Sequence, residues 1–398
     1  MSDRSTWNKK ESAFLLLALA LTIFAIAPLA YPGYFQVHSA FAPIYNLSAL
    51  GNGPLEAGWT PGVATTFDPL RGDGILPYYA ALPFVWLGSS PQSGVKVIFA
   101  LSFLLGTAGL FVWLRRTLGP AGAALAALVY AYLPYHLATV YVRGAWGEAL
   151  FLGLLPWAFA TVTTADRPQK PPQTHEVVDD STSPILYILT ALIWTLLVLS
   201  QAGLTIWGLL VLVVWMLLAG HFRHDYKLLL AALGGSISGL ALTFLIAGFT
   251  LPFSPINFFD HFVHPAQLFS AFWGFGASRP GWNDGLALGF GFAAVGLGML
   301  TLFLALKKEP SDRNGASQDA RALRRLIFTD LAIILALTLL LLAISATLWR
   351  VTSLHHTLAY PWQLLALIGL FLSALAGTSV KLDSRLASLP TYAALLLL

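Results

Sequence analysis

Long uncharged apolar stretches recur along the chain, and short polar segments between them hold most of the charged residues. A membrane span needs roughly 20 apolar residues to cross about 30 Å of hydrocarbon. The pattern therefore predicts an all-α, polytopic integral membrane protein with about 10–11 transmembrane helices. The predicted spans are residues 14–31, 97–114, 122–140, 149–164, a hairpin over 184–220, then 228–250, 286–306, 326–347, 362–380 and a partial span at 386–398.

Two of the apolar stretches have lengths that do not fit a single crossing. Residues 184–220 would extend about 55 Å as one helix, so we predict a hairpin that turns at residues 200–203. Residues 75–88 are too short to cross and contain Pro77 and Pro83. We predict a helix lying in the membrane interface, with Tyr78, Tyr79 and Trp86 as anchors.

The distribution of Lys and Arg predicts the orientation of the chain. Cytoplasmic loops carry an excess of these residues, and the start of the chain holds Arg4, Lys9 and Lys10, which places the N-terminus in the cytoplasm. A cleaved signal peptide is the alternative for the first stretch, but its apolar core is long and further spans follow. The predicted external loops are 32–75, 141–148, 251–285 and 349–361, and the main cytoplasmic loops are 165–183 and 307–325.

Composition supports a single transmembrane domain over residues 1–398, whose last stretch stops inside a helix and so predicts a truncated C-terminus. Hydrophobic residues make up 57% of the chain and charged residues 10%, against about a quarter charged in soluble proteins. The net charge of +4 fits basic residues at cytoplasmic helix ends, so we expect lipid and not nucleic acid as the partner. The absence of cysteine excludes disulfides, thiolate catalysis and cysteine-ligated metals.

The first candidate cluster is the segment FDPLRGDG at the end of the first external loop. It holds Asp68, Arg71 and Asp73. A carboxylate here could remove a proton from a hydroxyl or hold a divalent cation, and Gly72 and Gly74 would let the backbone approach a ligand. The alternative is a turn in which Asp68 caps the chain and Asp73 pairs with Arg71.

The second cluster is YVRGAWGE, in which Arg143 and Glu148 bracket a short external loop between two spans. A guanidinium matches phosphate geometry, so Arg143 could neutralise a leaving phosphate. The alternative is an Arg that reaches the interface and a Glu that favours the N-terminus of the next helix.

Histidines mark two further external segments. In DHFVHP, Asp260, His261 and His264 resemble half of a metal site, although two histidines on a surface loop are commoner without a metal. In the last external loop, Arg350, His355 and His356 are candidates for substrate contact, as are His38 and Arg71 of the first loop.

Two blocks carry a resemblance to a known family: YAYLPYHLATVYVRGAWGEALFLGLLPWAF and YPWQLLALIGLFLSALAG. They resemble bacterial membrane proteins labelled 6-pyruvoyl-tetrahydropterin synthase-related, and the resemblance covers most of the chain. It implies the GT-C architecture of polyprenyl-phosphate-sugar-dependent glycosyltransferases in the bacterial cytoplasmic membrane, and it maps Arg143 and Glu148 onto the family's external Arg and Glu. Where such proteins often have an early acid this chain has His38 and Ser39, and where they often have Arg it has Gln363.

The resulting hypothesis is a GT-C-like enzyme whose large first external loop and interfacial helix lie over a cavity. It would transfer a sugar from a polyprenyl-phosphate carrier to an acceptor hydroxyl, with Asp73 or Asp68 as base, Arg143 at the phosphate and Glu148 orienting Arg143. No cofactor is fixed by the sequence, and a divalent cation stays open. The alternatives are a transporter or flippase of a lipid-linked precursor and a non-catalytic membrane scaffold.

Overall fold

The computed structural model describes residues 7–52, 70–163, 183–220, 222–247, 256–281, 283–307 and 316–387. Within these ranges the chain forms helices and a single isolated β-bridge, which confirms the predicted all-α class. The helices are α1 (Lys9–Ile26), α2 (Ala42–Asn52), α3 (Leu76–Trp86), α4 (Pro91–Ala131), α5 (Pro134–Ala138), α6 (Trp146–Thr163), α7 (Pro184–Ser200), α8 (Ala202–Ala219), α9 (Phe222–Ala247), α10 (Pro265–Leu268), α11 (Phe292–Lys307), α12 (Ala316–Leu341), α13 (Ala346–Thr352) and α14 (Leu365–Leu382).

Helix α4 contains two of the predicted spans, because the chain reverses inside it. Gly119 has the non-helical angles φ 78° and ψ 170°, and Pro120 follows it. A Cβ atom on Gly106 would lie 3.1 Å from the Tyr130 ring, although a straight helix would separate the two residues by about 36 Å. The halves of α4 therefore run antiparallel, with Arg115 at their turn.

Several described helices have the length and hydropathy of membrane spans. Five qualify singly, and a sixth is the bent pair 320–341 and 343–352, whose parts meet at 80°. Helices α7 and α11 are apolar but shorter. The turn between α7 and α8 falls at Gln201, as the length of the 184–220 stretch predicted.

Small residues allow close packing around the central helix α14, which is buried along its length. A Cβ on Gly122 would lie 2.9 Å from the Gly377 oxygen, so the second half of α4 and α14 touch through their backbones, as is common between membrane helices. Helix α1 lies at the periphery, since Ile23 and Phe24 are exposed.

Two local predictions need correction. The span predicted over 122–140 ends at Ala131, because Pro134 starts the separate helix α5 and a five-residue π-helix covers Thr139–Arg143. Helix α3 exists as predicted, but Tyr78 is not an interfacial anchor, since its ring is buried edge-on against Trp146 at 4.7 Å between centroids. Trp86 at the end of α3 is exposed, as an anchor should be.

Candidate functional site

Backbone hydrogen bonds join the segments that carry the predicted site residues. The amide of Gly74 donates to the Ser200 oxygen at 2.8 Å, which ties the end of the first loop to the α7–α8 turn. A Cβ on Gly74 would meet the Leu199 and Ser200 backbone, so this glycine permits contact between protein segments and not with a ligand. The amides of His38 and Ser39 donate to the carbonyl oxygens of residues 142 and 143 at 3.0 and 3.1 Å.

Arg143 and Glu148 form the centre of this region. Nη1 and Nη2 of Arg143 donate to the two Glu148 oxygens at 2.6 and 2.8 Å, a bidentate pair with side chains 12% and 1% exposed. Glu148 also accepts hydrogen bonds from the Tyr135 hydroxyl and, at 3.0 Å, from Nε2 of Gln363. Four donors on one carboxylate keep it ionised and occupied, so Glu148 suits the orienting role and not that of a base.

Gln363 and Tyr135 are functional candidates of this cluster that the sequence did not assign. Oε1 of Gln363 accepts from the amides of Ala359 and Tyr360 at 2.9 and 3.1 Å. The side chain thus spans from the last external loop to Glu148. The only signal in the sequence was the occurrence of Gln363 where an Arg was expected.

We expect replacement of Glu148 to destabilise the protein strongly. Glu148→Ala leaves Arg143 buried without its partner, and breaking a buried pair from one side costs about 3–5 kcal/mol. The measurement is thermal unfolding in detergent, beside Glu11→Ala, which removes the partner of Arg115 at the opposite end of α4's hairpin. An unchanged melting temperature for Glu148→Ala would show that the pair does not hold the cluster together.

Asp73 lies at the N-terminus of α6. Its two oxygens accept the amides of Trp146 and Gly147 at 3.2 and 3.0 Å, which also gives it a structural role as a helix cap from outside the helix. A Cβ on Gly147 would lie 3.0 Å from Oδ1 of Asp73. A residue larger than glycine at position 147 would therefore push α6 away from this carboxylate. Burial, and then the charge of Glu148, raise the pKa of Asp73 to about 6, which brings its titration into the range of a general base.

Two hydroxyls of the first loop lie near Asp73. The negative charge of Asp73 acts on Tyr34, whose pKa burial raises to about 12. The side chain of Ser39 interacts with the Tyr34 hydroxyl and opposes this rise in pKa. Tyr34 and Ser39 therefore lie close to each other, and Tyr34 is within electrostatic reach of Asp73.

Trp362 covers one face of the Arg143 guanidinium. The guanidinium carbon lies 4.5 Å from the centre of the indole ring, and Nε1 of Trp362 donates to Ser278 Oγ at 3.1 Å. Ser278 donates to Asp284 at 2.8 Å, so Nδ1 of His261, 3.0 Å away, must donate to the remaining Ser278 lone pair. The loop 256–285 is thereby connected to Arg143 through Trp362.

Arg71 contacts the last external loop. Its Nε and Nη2 donate to the carbonyl oxygens of His356 and His355 at 3.2 and 3.0 Å, and Nη2 lies 3.3 Å from Nδ1 of His356. These donors hold the loop, which limits Arg71 and both histidines as substrate contacts. Arg350 is exposed and stacks over Phe259 at 4.7 Å.

The predicted metal half-site is not assembled. His264 turns Nδ1 toward the amide of Ala266 at 3.4 Å, His261 binds Ser278, and Asp260 is exposed. In the residues that the structure covers, no three His, Cys, Asp or Glu side chains group as metal ligands. Asp68 lies outside the described residues.

An apolar cavity of about 800 Å³ opens beside this cluster. Its walls are the end of α1, residues 35–38, Tyr132, Leu137, Tyr141, Trp273 and Phe275. His38 lines the cavity, and its Nε2 lies 3.0 Å from the Phe275 oxygen. Residues 37 and 38 line the cavity, and the amides of His38 and Ser39 donate to the carbonyl oxygens of residues 142 and 143. The cavity therefore adjoins the segment that carries Arg143.

Comparison with solved structures identifies the fold. The oligosaccharyltransferase of Archaeoglobus fulgidus in its apo form aligns with a TM-score of 0.52 and 13% identity over 99% of this chain and 56% of that chain. The same enzyme tethered to an acceptor peptide gives 0.51 and 13% over 97% and 54%. ArnT from Cupriavidus metallidurans bound to undecaprenyl phosphate gives 0.45 and 13% over 93% and 78%. The chain thus spans about half the length of the archaeal enzyme.

The archaeal similarity confirms the GT-C-like fold predicted from the sequence. At 13% identity it shows the fold alone. No family model and no curated protein matches the chain, so membership in the 6-pyruvoyl-tetrahydropterin synthase-related family stays a prediction.

Proposed function

We propose that the protein is a GT-C-type glycosyltransferase that moves a sugar from a polyprenyl-phosphate carrier to an acceptor hydroxyl. The observation that carries the proposal is the Asp73, Arg143 and Glu148 cluster, whose Arg143 segment is hydrogen-bonded to the His38 segment that lines a large apolar cavity. A polyprenyl chain is apolar and its phosphate is anionic, which matches the two parts of this site. The similar fold of an oligosaccharyltransferase supports the same reaction class.

The reaction needs a base on the acceptor and a countercharge at the carrier. Asp73 takes the proton of the acceptor hydroxyl while that oxygen bonds to the anomeric carbon of the sugar. The bond from this carbon to the phosphate oxygen breaks, and its electron pair stays on the departing polyprenyl phosphate. The raised pKa of Asp73 makes its carboxylate a better proton acceptor near neutral pH than an ordinary Asp.

Arg143 supplies the countercharge in this mechanism. Burial alone would lower its pKa, but the adjacent Glu148 raises the pKa above its ordinary value, so the guanidinium stays charged. Two of its nitrogen atoms bind Glu148 and one face stacks on Trp362, which fixes the plane of the remaining donors. A charge held in place before the reaction stabilises the leaving phosphate without reorganisation.

A divalent cation is not needed for these steps. The carboxylate of Glu148 is occupied by four donors, and Asp73 binds two backbone amides. The described side chains around Asp73 do not provide the set of oxygen ligands that Mg²⁺ or Ca²⁺ prefers. The proposed steps use protein side chains alone.

We place the cluster on the non-cytoplasmic side of a bacterial cytoplasmic membrane, with the N-terminus in the cytoplasm. Support comes from the opposite end of the molecule, where Arg115 bonds Glu11 at 2.8 Å and stacks on Trp7 at 4.3 Å. Arg116 follows at the same turn of α4. Such basic helix ends are typical of the cytoplasmic face.

One observation favours the alternative of a transporter for a lipid-linked precursor. Asp330 is buried inside the span α12, where its carboxylate accepts from Nε1 of Trp215 at 3.0 Å. Ionisable groups at membrane depth often mark transport pathways. Asp330 nevertheless has a hydrogen-bond partner between neighbouring helices, which is sufficient reason for its presence.

Mass spectrometry of lipid that co-purifies with the protein distinguishes the two proposals. We expect a polyprenyl phosphate, alone or with one sugar, because the cavity takes an apolar chain and Arg143 binds phosphate. A complete lipid-linked oligosaccharide would contradict the proposed transfer of a single sugar and favour the transporter. Arg143→Gln/Glu148→Gln, which removes both charges together, is the matched control and should lose the bound lipid.

A further inference from the structure

An aromatic segment of the loop 256–285 is exposed although it lacks charge. We call residues 269–275 the aromatic loop; its sequence is FSAFWGF. Phe269, Phe272 and Phe275 are 60%, 57% and 69% exposed. Contiguous exposed apolar surface on a protein marks contact with a membrane or a partner.

The cavity fixes the level of the aromatic loop relative to α1. Trp273 and Phe275 line the same cavity as Phe24 and Pro28, which lie at the end of the α1 span. Phe24 is 70% exposed on this span and so faces lipid. The aromatic loop therefore continues the lipid-facing surface of α1 instead of projecting beyond it.

A charged group indicates where the polar headgroups begin. Nζ of Lys96 donates to the carbonyl oxygen of Tyr31 at 2.6 Å, just beyond the 3-10 turn that ends at Ala30. An ammonium favours the headgroup level, whereas aromatic rings favour the boundary beneath it. The cavity is lined by Phe24 and Pro28, which precede Tyr31 in the chain, and by residues 35–38, which follow it, so Trp273 and Phe275 lie at this level.

The ends of the aromatic loop have backbone partners of their own, as chain near the hydrocarbon boundary requires. Gly276 donates to the Gly285 oxygen at 3.0 Å, Ser270 to Gln267 at 3.2 Å, and Phe290 to Leu268 at 2.9 Å. These bonds pin both ends of the loop to the protein. Of the aromatic side chains between them, Phe272 is exposed, and Trp273 and Phe275 line the cavity.

We infer that the aromatic loop inserts into the leaflet on the side of the candidate site, at the boundary of headgroups and acyl chains, and forms the wall between bulk lipid and the cavity. Its partner is the bilayer itself. The contact from His38 to the Phe275 oxygen joins this wall to the first loop. The inference uses the membrane fold and the cavity and does not depend on the proposed reaction.

The cysteine-free sequence makes a depth measurement direct. Phe272→Cys is labelled with the environment-sensitive fluorophore NBD, and the protein is reconstituted into phosphatidylcholine vesicles with lipids carrying a nitroxide near the headgroup end of the acyl chain. We expect blue-shifted emission that the nitroxide lipid quenches strongly and aqueous iodide quenches weakly. Phe269→Cys is a second position in case the first variant does not fold.

Arg279→Cys is the matched control, because Arg279 is an exposed, charged residue of the same loop outside the aromatic segment. Its label should respond to iodide and little to the nitroxide lipid, while Ile23→Cys in α1 should respond to the lipid. Iodide quenching at both Phe272 and Phe269 would place the loop in water and overturn the inference. Protection from both quenchers would mean a protein surface covers the loop, which overturns it equally.

Discussion

Arg143→Lys should lower sugar transfer by at least an order of magnitude while the protein still folds and inserts. Lysine keeps the unit charge but has no planar fork, so it cannot bind both Glu148 oxygens and present further donors in a fixed plane. The planar stacking of the guanidinium on Trp362, at 4.5 Å, is also lost. Arg143→Ala should lose more, about 10²- to 10³-fold if donors to a developing oxyanion are a guide. The measurement is transfer of labelled sugar in membranes, or complementation of a glycan defect in a deletion strain.

Controls separate chemistry from folding in this experiment. Arg279→Ala removes an exposed cation of an external loop, outside the hydrogen-bonded cluster, and should leave transfer nearly unchanged. Expression and thermal stability are matched between variants, because Arg143→Ala leaves Glu148 buried without its main partner. An Arg that only reaches the interface would be replaced freely by Lys. Equal activity of wild type, Arg143→Lys and Arg143→Ala would remove Arg143 from the site and favour the scaffold alternative.

The helical architecture was predictable because apolar length and turn chemistry are local properties. Residues 184–220 are too long for one crossing, and the chain turns at Gln201 as that length requires. The α4 hairpin forms because Gly119 and Pro120 end its first half just after Arg115 and let the chain reverse. Pro134 likewise indicates a helix break, but the uninterrupted apolar run over 122–140 favours one continuous span.

The candidate site was predictable only in part, because its contacts join distant segments. Arg143 and Glu148 stand close in sequence, so their pairing was within reach of a local argument. Gln363 reaches Glu148 across a separation of 215 residues, and no spacing rule reports such a contact. Arg71 was predicted to contact substrate, whereas in the structure it donates to carbonyl oxygens of the last external loop, which is distant in sequence.

The early acid expected from the family resemblance is replaced by His38 and Ser39, and the structure shows what surrounds this position. Ser39 pairs through its amide with the Arg143 carbonyl, and its hydroxyl lies where a Cβ on Gly144 would approach within 2.5 Å. The segment thus packs against the same turn that Asp73 caps. Asp73, at the other end of the first loop, therefore supplies a carboxylate to this region.

Asp73→Asn should abolish most of the transfer, because an amide cannot accept the proton of the acceptor hydroxyl. A general base contributes about 10²- to 10⁴-fold, and Asn can still accept one backbone amide of α6, so the loss should exceed any loss of stability. The pH profile of the wild type gives a second test. Burial and the charge of Glu148 raise the pKa of Asp73 to about 6, above the ordinary Asp value of about 3.9.

A base acts only when ionised, so transfer should fall as the pH decreases through about 6 and recover on return to neutral pH. Measured at saturating donor, this acid limb should be present in the wild type and in Arg279→Ala, whose substitution lies outside the cluster. If Asp73 is only the cap of α6, the rate would not follow this titration, and Asp73→Asn would lower the melting temperature with a proportionate, small effect on turnover. A flat rate between about pH 8 and pH 5, together with residual transfer near wild type in Asp73→Asn, would exclude Asp73 as the base and leave Asp68 as the remaining predicted carboxylate.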